Sequence, residues 1–314
     1  MLLVGAEAEH SKRRAKRAGL EPTRTVFEAP KPDRVFGVPT QWRDNPDIAA
    51  GLRSPALAFA LFEVALRHRR GESVAGHRAR IGALWARLAE VAAKNANAWL
   101  RRAPGADEIA TPSAENRWVA YPYTKLLVAN MVVDQAAALI LCSAGAARRA
   151  GVPEERFVYP LAATEAVVAR HISERMRLDE EPPMRIAGPR ALELAGVEPA
   201  SLDFVDLYSC FPAAVQLGAE ALGLPEERPL SVTGGLTFAG GPFNSYVMHA
   251  IATLVERLRE RPGSTGLVSS VGGFFSKHAF GVYASRPPRD GFRHEDLADA
   301  VRAFPARRMA PDHV

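Results

Sequence analysis

Tyr208, Cys210, His249 and His278 are the side chains whose types suit proton transfer or attack on a carbonyl carbon. They flank or belong to a glycine-rich stretch, "SVTGGLTFAGGPFNSYVMHA", from Ser231 to Ala250. Cys210 falls at a strand-to-helix turn. Tyr208, two residues earlier, can donate or accept a proton. His249 lies in the helix after the glycines, off its Val247, Ile251, Leu254 stripe. His278 follows Gly273 by a short loop and precedes a strand. Each has a structural role open to it as well: packing for the cysteine, a satisfied buried hydrogen bond for the others. Cys142, inside an apolar run, reads as packing. The remaining histidines have no metal-ligand spacing and there is no Cys/His cluster, so no metal is expected.

The glycines themselves exclude two chemistries. Gly235, four residues and Gly240 match the start of a phosphate-binding loop. Such a loop then needs Lys and Ser or Thr, and Gly241 and Pro242 stand there instead. The Gly-x-Gly-x-x-Gly spacing of a dinucleotide site is absent too. What remains is close backbone approach to a ligand or another strand. Helix onset after Pro242 would turn free backbone N–H groups toward a cleft.

The elements that must position these residues alternate between strand and helix, which makes the class α/β. "MLLVGAEA" reads as a short buried strand and "EHSKRRAKRAG" as a basic helix with a solvated face. Pro30 to Pro46 reads as irregular chain. "SPALAFALFEVALRHRRG" is a helix capped by Ser54, entered at Pro55 and left at Gly71. A second helix starts at Ser73, with Ile81, Leu84, Trp85, Leu88 and Val91 at helical spacing. Ala136 to Cys142 reads as a strand covered on both faces, and "ERFVYPLAATEAVV" as another strand. Pro189 is expected to start a helix that Gly196 ends. "LDFVDLY" is a strand, Phe211 to Leu222 a helix, and "TGLVSSVGG" and "HAFGVYAS" are strands. One short amphipathic helix is expected near the end.

Composition sets wide bounds. The hydrophobic share is 47% over 314 residues, enough for a large core in two or three domains. The net charge of +5 suits an anionic small molecule as well as a nucleic acid. Two cysteines exclude a disulfide scaffold and point to a reducing cytoplasm. No run reaches the roughly 18 apolar residues of a membrane span, and the start does not have the form of a signal peptide.

Four segments resemble thiolases in order and approximate spacing. "ANMVVDQAAA" at Ala129 to Ala138 is similar to a thiolase Asn-Ala-Ser-Gly-x-x-Asp-Gly-Ala-Ala segment. "YSCF" at Tyr208 to Phe211 stands where thiolases carry Asn-Glu-Ala-Phe. "GGLTFAGGP" at Gly234 to Pro242 matches Gly-Gly, four residues, Gly-His-Pro. "SVGG" at Ser270 to Gly273 matches Cys-x-Gly-Gly. "NRWVAYPYTKLL", "VDLYSCFPAAVQ" and "GGPFNSYVMHA" resemble thiolase-like proteins of the sterol-carrier-thiolase branch, usually labelled acetyl-CoA acetyltransferases. The resemblance implies a thiolase fold, layered αβαβα, with an incomplete first half and a complete C-terminal half. It places remnants of the first domain at residues 1–24 and 119–150, a helical loop domain at 25–118, the C-terminal domain at 151–285, and the start of an extension at 286–314.

The same resemblance implies an impaired centre. The segment carrying the nucleophilic cysteine would lie upstream of the strand at Met1, so the chain reads as the N-terminally truncated remainder of a longer protein. The histidine position is Gly241, the second cysteine is Ser270, and the asparagine is Tyr208. Coenzyme A thioester is the implied ligand, near Asn130, Gly240, Gly241, Gly272 and Gly273, with no permanently bound cofactor. A homodimer or a heteromeric partner subunit is implied; a nucleic acid partner is not. Three functions follow: an impaired acyltransferase, a retro-aldol lyase on acyl-CoA using Tyr208 with His278 as helper, or a non-catalytic acyl-CoA- or lipid-binding or scaffold subunit. The lyase reading rests on likeness to thiolase-related lyases in "YSCF" and in "KHA" at Lys277 to Ala279.

Overall fold

The computed structural model describes residues 1–22, 45–167 and 170–307. Strand β1 (Leu2–Ala8) and helix α1 (Glu9–Arg17) come first, then α2 (Pro46–Ala49), α3 (Pro55–Arg69), α4 (Val74–Lys94) and α5 (Ala106–Ala110). After β2 (Trp118–Ala120) and β3 (Tyr123–Thr124) come β4 (Asp134–Ile140), α6 (Ala144–Arg149) and β5 (Tyr159–Val167). The C-terminal half has α7 (Pro182–Ala195), β6 (Phe204–Asp206), α8 (Pro212–Ala221), α9 (Gly235–Phe238), α10 (Tyr246–Glu260), β7 (Thr265–Gly272), β8 (Lys277–Ala284), β9 (Arg293–Asp296) and α11 (Ala298–Arg302).

The main sheet has five strands in the order β6-β7-β8-β5-β9. β6 runs parallel to β7, β8 is antiparallel to both β7 and β5, and β9 is parallel to β5. Side-chain alternation gives this sheet two faces with different neighbours. On one face Thr164 donates to the Ala187 carbonyl of α7 at 2.7 Å, and Gly188 of α7 lies against Phe280. On the other face Gly266 lies against Leu254 of α10. α10 in turn meets β1, where Gly5 sits under Met248. The layers therefore run helix, sheet, helix, two-stranded ribbon. This is the α/β layering expected from the sequence.

The helical pair forms as its caps dictate. Ser54 Oγ accepts from Leu57 N–H, Pro55 takes the first turn, and Ser73 Oγ accepts from Gly76 N–H at 3.0 Å. Ile81, Leu84, Trp85 and Leu88 form the buried stripe of α4. A buried network ties this pair to α8. Glu63, fully buried, meets His77 at 2.9 Å, Gln216 at 2.6 Å and the Tyr123 hydroxyl at 2.8 Å. Arg80 bridges Glu72 and Glu226. Every buried charge in it is hydrogen-bonded, as burial requires.

Four expectations need correction. β1 forms, paired antiparallel with β4, but it is not buried: Leu2 and Val4 are 62% and 63% exposed. β4 is not covered on both faces. Its inner residues face α10, while Ala136, Ala138 and Ile140 point outward and are exposed. Cys142 is exposed rather than packed. Pro189 does not start α7. Pro182 and Pro183 occupy the first turn, Pro189 lies inside the helix, and Gly196 ends it with a left-handed φ of 64°. The irregular reading of Pro30 to Pro46 lies outside the described residues, except that Pro46 opens α2.

Candidate functional site

The glycine motif is held from below by one carboxylate. Asp206, fully buried at the end of β6, accepts from the N–H groups of Val232 and Thr233, the hydroxyls of Ser231 and Thr233, and the Tyr246 hydroxyl at 2.9 Å. Burial pushes its pKa up, against the lowering effect of these donors. The loop at Ser231 to Thr233 and the start of α10 at Tyr246 are thereby fixed to one carboxylate at the end of β6. Sequence reasoning missed Asp206. An acid inside a strand that also carries Phe204, Val205 and Leu207 was the available signal.

The glycines serve packing first. Gly234 has φ 101°, and an added Cβ would stand 2.5 Å from the Ala92 backbone of α4. Gly240, at φ 116°, lies against the Gln135 side chain. The close approach expected of the motif is thus mostly to α4 and β4. Gly241 alone of the second pair faces the cleft. Trp85 Nε1 donates to Thr237 Oγ1 at 2.9 Å, which locks α4 to α9.

Beside the motif is an apolar cavity of about 460 Å³. Its walls include Phe59 of α3, Ala129, Met131, Tyr208, Cys210, Phe211, Leu236, Gly241 and Gly273. Phe59 and Phe211 stack at 4.6 Å, so α3 and the start of α8 close one side together. Among the described residues, no acidic, basic or imidazole side chain lines this cavity. Burial pushes the Cys210 thiol well above its usual range and does the same to the Tyr208 hydroxyl. At neutral pH both keep their protons.

A second compartment of about 260 Å³ shares the walls Tyr208, Phe243, Asn244, Val271 and Gly272. It adds Ser270, Glu165, Lys277, His278 and Ala279. Phe243 has an unusual positive φ of 41° and is 47% exposed, at the border of the two spaces.

The expected site residues divide accordingly. Tyr208 and Cys210 share the apolar cavity with Gly241, Gly272 and Gly273, and Tyr208 reaches the second compartment with Ser270. His278 lines that compartment too, while its ring lies against Phe275 and Glu181. It shares the α7 face of β8 with Phe280 and Val282, while Lys277 and Ala279 face α10. Its Nε2 lies 3.3 Å from both Glu181 Oε1 and the Phe275 carbonyl, and Nδ1 has no partner. Arg175 pairs with Glu181 at 2.6 Å and donates to the carbonyls of Phe274 and Phe275, so this cluster braces the third glycine loop from behind. His249 lies elsewhere again. It lines a cavity with Asn95, Gln135 and Gly240, and burial lowers its pKa.

Asn130 and Gly240 do not line the apolar cavity. Asn130 works through its backbone, donating to the Leu236 carbonyl at 3.0 Å and accepting from Gly241 N–H at 2.9 Å, while its side chain accepts from Val132 N–H. It splices the two loops that carry the wall. Among the described residues no group of three metal-ligating side chains is gathered, and no helix is long and apolar enough to cross a membrane.

No family model and no curated protein matches the chain. Solved structures do. A monomeric SCP2-thiolase-like protein type 1 from Mycobacterium smegmatis is 35% identical, with a TM-score of 0.76, over 83% of this chain and 58% of that one. An Ltp2–ChsH2(DUF35) aldolase is 22% identical, with a TM-score of 0.64, over 80% of this chain and 70% of that one. The dimeric peroxisomal thiolase of Saccharomyces cerevisiae is 14% identical, with a TM-score of 0.61, over 91% of this chain and 68% of that one. The last two speak to the fold alone. The chain thus spans 58% of the length of its SCP2-thiolase-like relative. Layering, loop order and this identity together place the chain in the thiolase superfamily, among the SCP2-thiolase-like proteins.

Proposed function

We propose that this chain binds an acyl-CoA thioester in the apolar cavity and turns over thiolase substrates poorly or not at all. The carrying observation is the make-up of that cavity wall: a thiol and a phenol, both held protonated by burial, and no acidic, basic or imidazole side chain in the wall itself. Acyl transfer through a covalent intermediate needs a thiolate and a base within hydrogen-bond reach. The apolar walls suit an acyl group and the pantetheine arm, because burying such surface is favourable at roughly 25 cal/mol per Å². Gly241, Gly272 and Gly273 carry no side chain at the wall, which leaves room for a thioester. By descent the chain is an acyltransferase, acetyl-CoA acetyltransferase-like, of lipid metabolism.

A second reading has one observation in its favour. Tyr208 lines both compartments with its proton held, so it can give that proton to the enolate released by retro-aldol cleavage of a β-hydroxyacyl-CoA, while Glu165 or His278 of the second compartment takes the proton of the β-hydroxyl. His278 lines the same compartment, with its ring against Phe275 and Glu181, and is the candidate helper in that scheme. A partner subunit, which the resemblance implies, has a counterpart in the Ltp2–ChsH2(DUF35) assembly.

Calorimetric titration with acetyl-CoA and longer acyl-CoAs tests the binding claim. Saturable binding is expected, weakened at least tenfold in Met131→Trp, a change at a 43% exposed wall position that fills the cavity from its rim. Absence of binding, or binding unaffected by Met131→Trp, overturns it. Cleavage of a β-hydroxyacyl-CoA that disappears in Tyr208→Phe selects the second reading.

A further inference from the structure

We infer that Glu165 is the group that takes the β-hydroxyl proton, and that the β-carbon of a β-hydroxyacyl thioester rests over Ala279, between Glu165 and Tyr208. The inference rests on the retro-aldol reading and names its base and the seat of the bond that breaks. The sheet register carries it. Ser270 of β7 stands opposite Ala279 of β8, which stands opposite Glu165 of β5. Tyr208 extends the same row. Asp206 of β6 pairs with Val268 of β7, and two residues further on the Tyr208 N–H donates to Ser269 Oγ at 2.9 Å. All four residues of the row line the second compartment.

The row lies on one face of the sheet. Thr164 turns to α7, so Glu165 beside it turns to α10. Tyr208 meets Tyr246 of α10 edge to face. A phenol and a carboxylate therefore stand at the two ends of the row, three strand spacings or roughly 14 Å apart at the backbone. Between them stand Ser270 and Ala279, whose side chains are short. Two long side chains reaching inward over that floor leave a gap of the size of a β-hydroxy thioester unit.

His278 is the competing base, and the same register sets it apart. Its ring belongs to the α7 face with Phe280, and its Nε2 lies 3.3 Å from Glu181 Oε1. Its residue is 2% exposed, whereas the Glu165 side chain is 44% exposed. His294 of β9 holds the Glu165 carboxylate at 3.3 Å from the strand on the side away from Ala279.

In the step, Glu165 takes the hydroxyl proton, the Cα–Cβ bond breaks, and the β-carbon becomes a ketone or aldehyde carbonyl. The electron pair of that bond passes into the thioester enolate, which takes the Tyr208 proton at Cα. The proton on Glu165 then returns to the Tyr208 phenolate through water.

The test is cleavage of 3-hydroxy-3-methylbutanoyl-CoA to acetyl-CoA and acetone by the wild type, Glu165→Gln, His278→Gln, Ala279→Leu and Tyr208→Phe. Glu165→Gln is expected to lower kcat about a hundredfold or more, the scale of a lost general base, with acetyl-CoA binding by calorimetry unchanged. His278→Gln should keep most of the rate, and Ala279→Leu should raise KM for this branched thioester. Thermal melts check that the variants fold, and the deciding one is at a partly exposed position. Wild-type rates in Glu165→Gln, with Tyr208→Phe inactive, overturn this inference and leave the retro-aldol reading standing. So does a Glu165→Gln loss matched by an equal loss of acetyl-CoA binding. If the wild type cleaves no β-hydroxyacyl-CoA, the underlying reading fails and this inference with it.

Discussion

Two stretches, "MLLVGAEA" with six apolar residues of eight and "TGLVSSVG" with three, both become strands, and the less apolar one is the buried one. β7 lies inside the five-stranded sheet with α7 on one face and α10 on the other, and Leu267 and Val268 are buried. β1 pairs only with β4, and the outward row of that ribbon, Leu2, Val4 and Ile140, is 62%, 63% and 80% exposed. Apolar sequence makes a strand; its neighbours decide whether burial stabilises it. A two-stranded ribbon with one covered face contributes little stability by itself. The candidate site belongs to the fully packed region, which is why its walls are fixed while the ribbon carries none of the apolar cavity.

The sharpest way to break this contrast is at the core of the sheet. Phe280 is 1% exposed and meets Gly188 of α7. Phe280→Ala should cost about 3–5 kcal/mol in urea unfolding. Ile140→Ala on the ribbon should stay within about 0.5 kcal/mol. Equal losses would show the two regions to be one packed unit. Asp206→Ala comes next. It leaves the donors of Ser231, Thr233 and Tyr246 buried without their acceptor, and a loss of about 3 kcal/mol is expected. Because the loop at Ser231–Gly235 is released with it, acyl-CoA affinity should fall as well. Stability falling with affinity intact would separate the anchor from the site.

A smaller effect is expected at the edge joining α3 to α8. Arg69 pairs with Glu220 through two hydrogen bonds of 2.8 and 2.5 Å, and this guanidinium lowers the Glu220 pKa below its ordinary 4.5. A depressed carboxylate stabilises above its unfolded pKa and loses that contribution as pH falls through its folded pKa. Glu220→Gln should therefore lower stability at neutral pH by about 0.5 kcal/mol, since the pair is partly exposed, and the difference from wild type should shrink below pH 4.5. A difference that stays constant from neutral pH into acid contradicts this.

Local chemistry made the helical pair legible. Ser54, Pro55, Gly71 and Ser73 are adjacent in sequence to what they cap, so their meaning needs no tertiary information. The same holds for the order of the strands and loops in the C-terminal half. Asp206 was legible only as an acid among Phe204, Val205 and Leu207; the partners that it holds lie some distance along the chain and nothing near it announces them. Exposure of β1 and β4 was not legible either, since an apolar run does not state what covers it. The side of β8 taken by His278 was legible in principle. Its even-numbered partners Phe280 and Val282 are large and apolar while Lys277, Ala279 and Gly281 on the other face are charged or small, and that alternation predicts a ring turned into the core. At Pro189 two prolines seven residues upstream made an equally good helix start, and the α7 turn at Pro182 took it.

The most direct measurement is intact-protein mass spectrometry after incubation with acetyl-CoA, read under native and then denaturing conditions. The account predicts a non-covalent complex in the first spectrum and unmodified protein in the second, because the Cys210 thiol stays protonated with no base at the cavity wall. An acetyl adduct mapped to Cys210 and formed at a catalytic rate would contradict it.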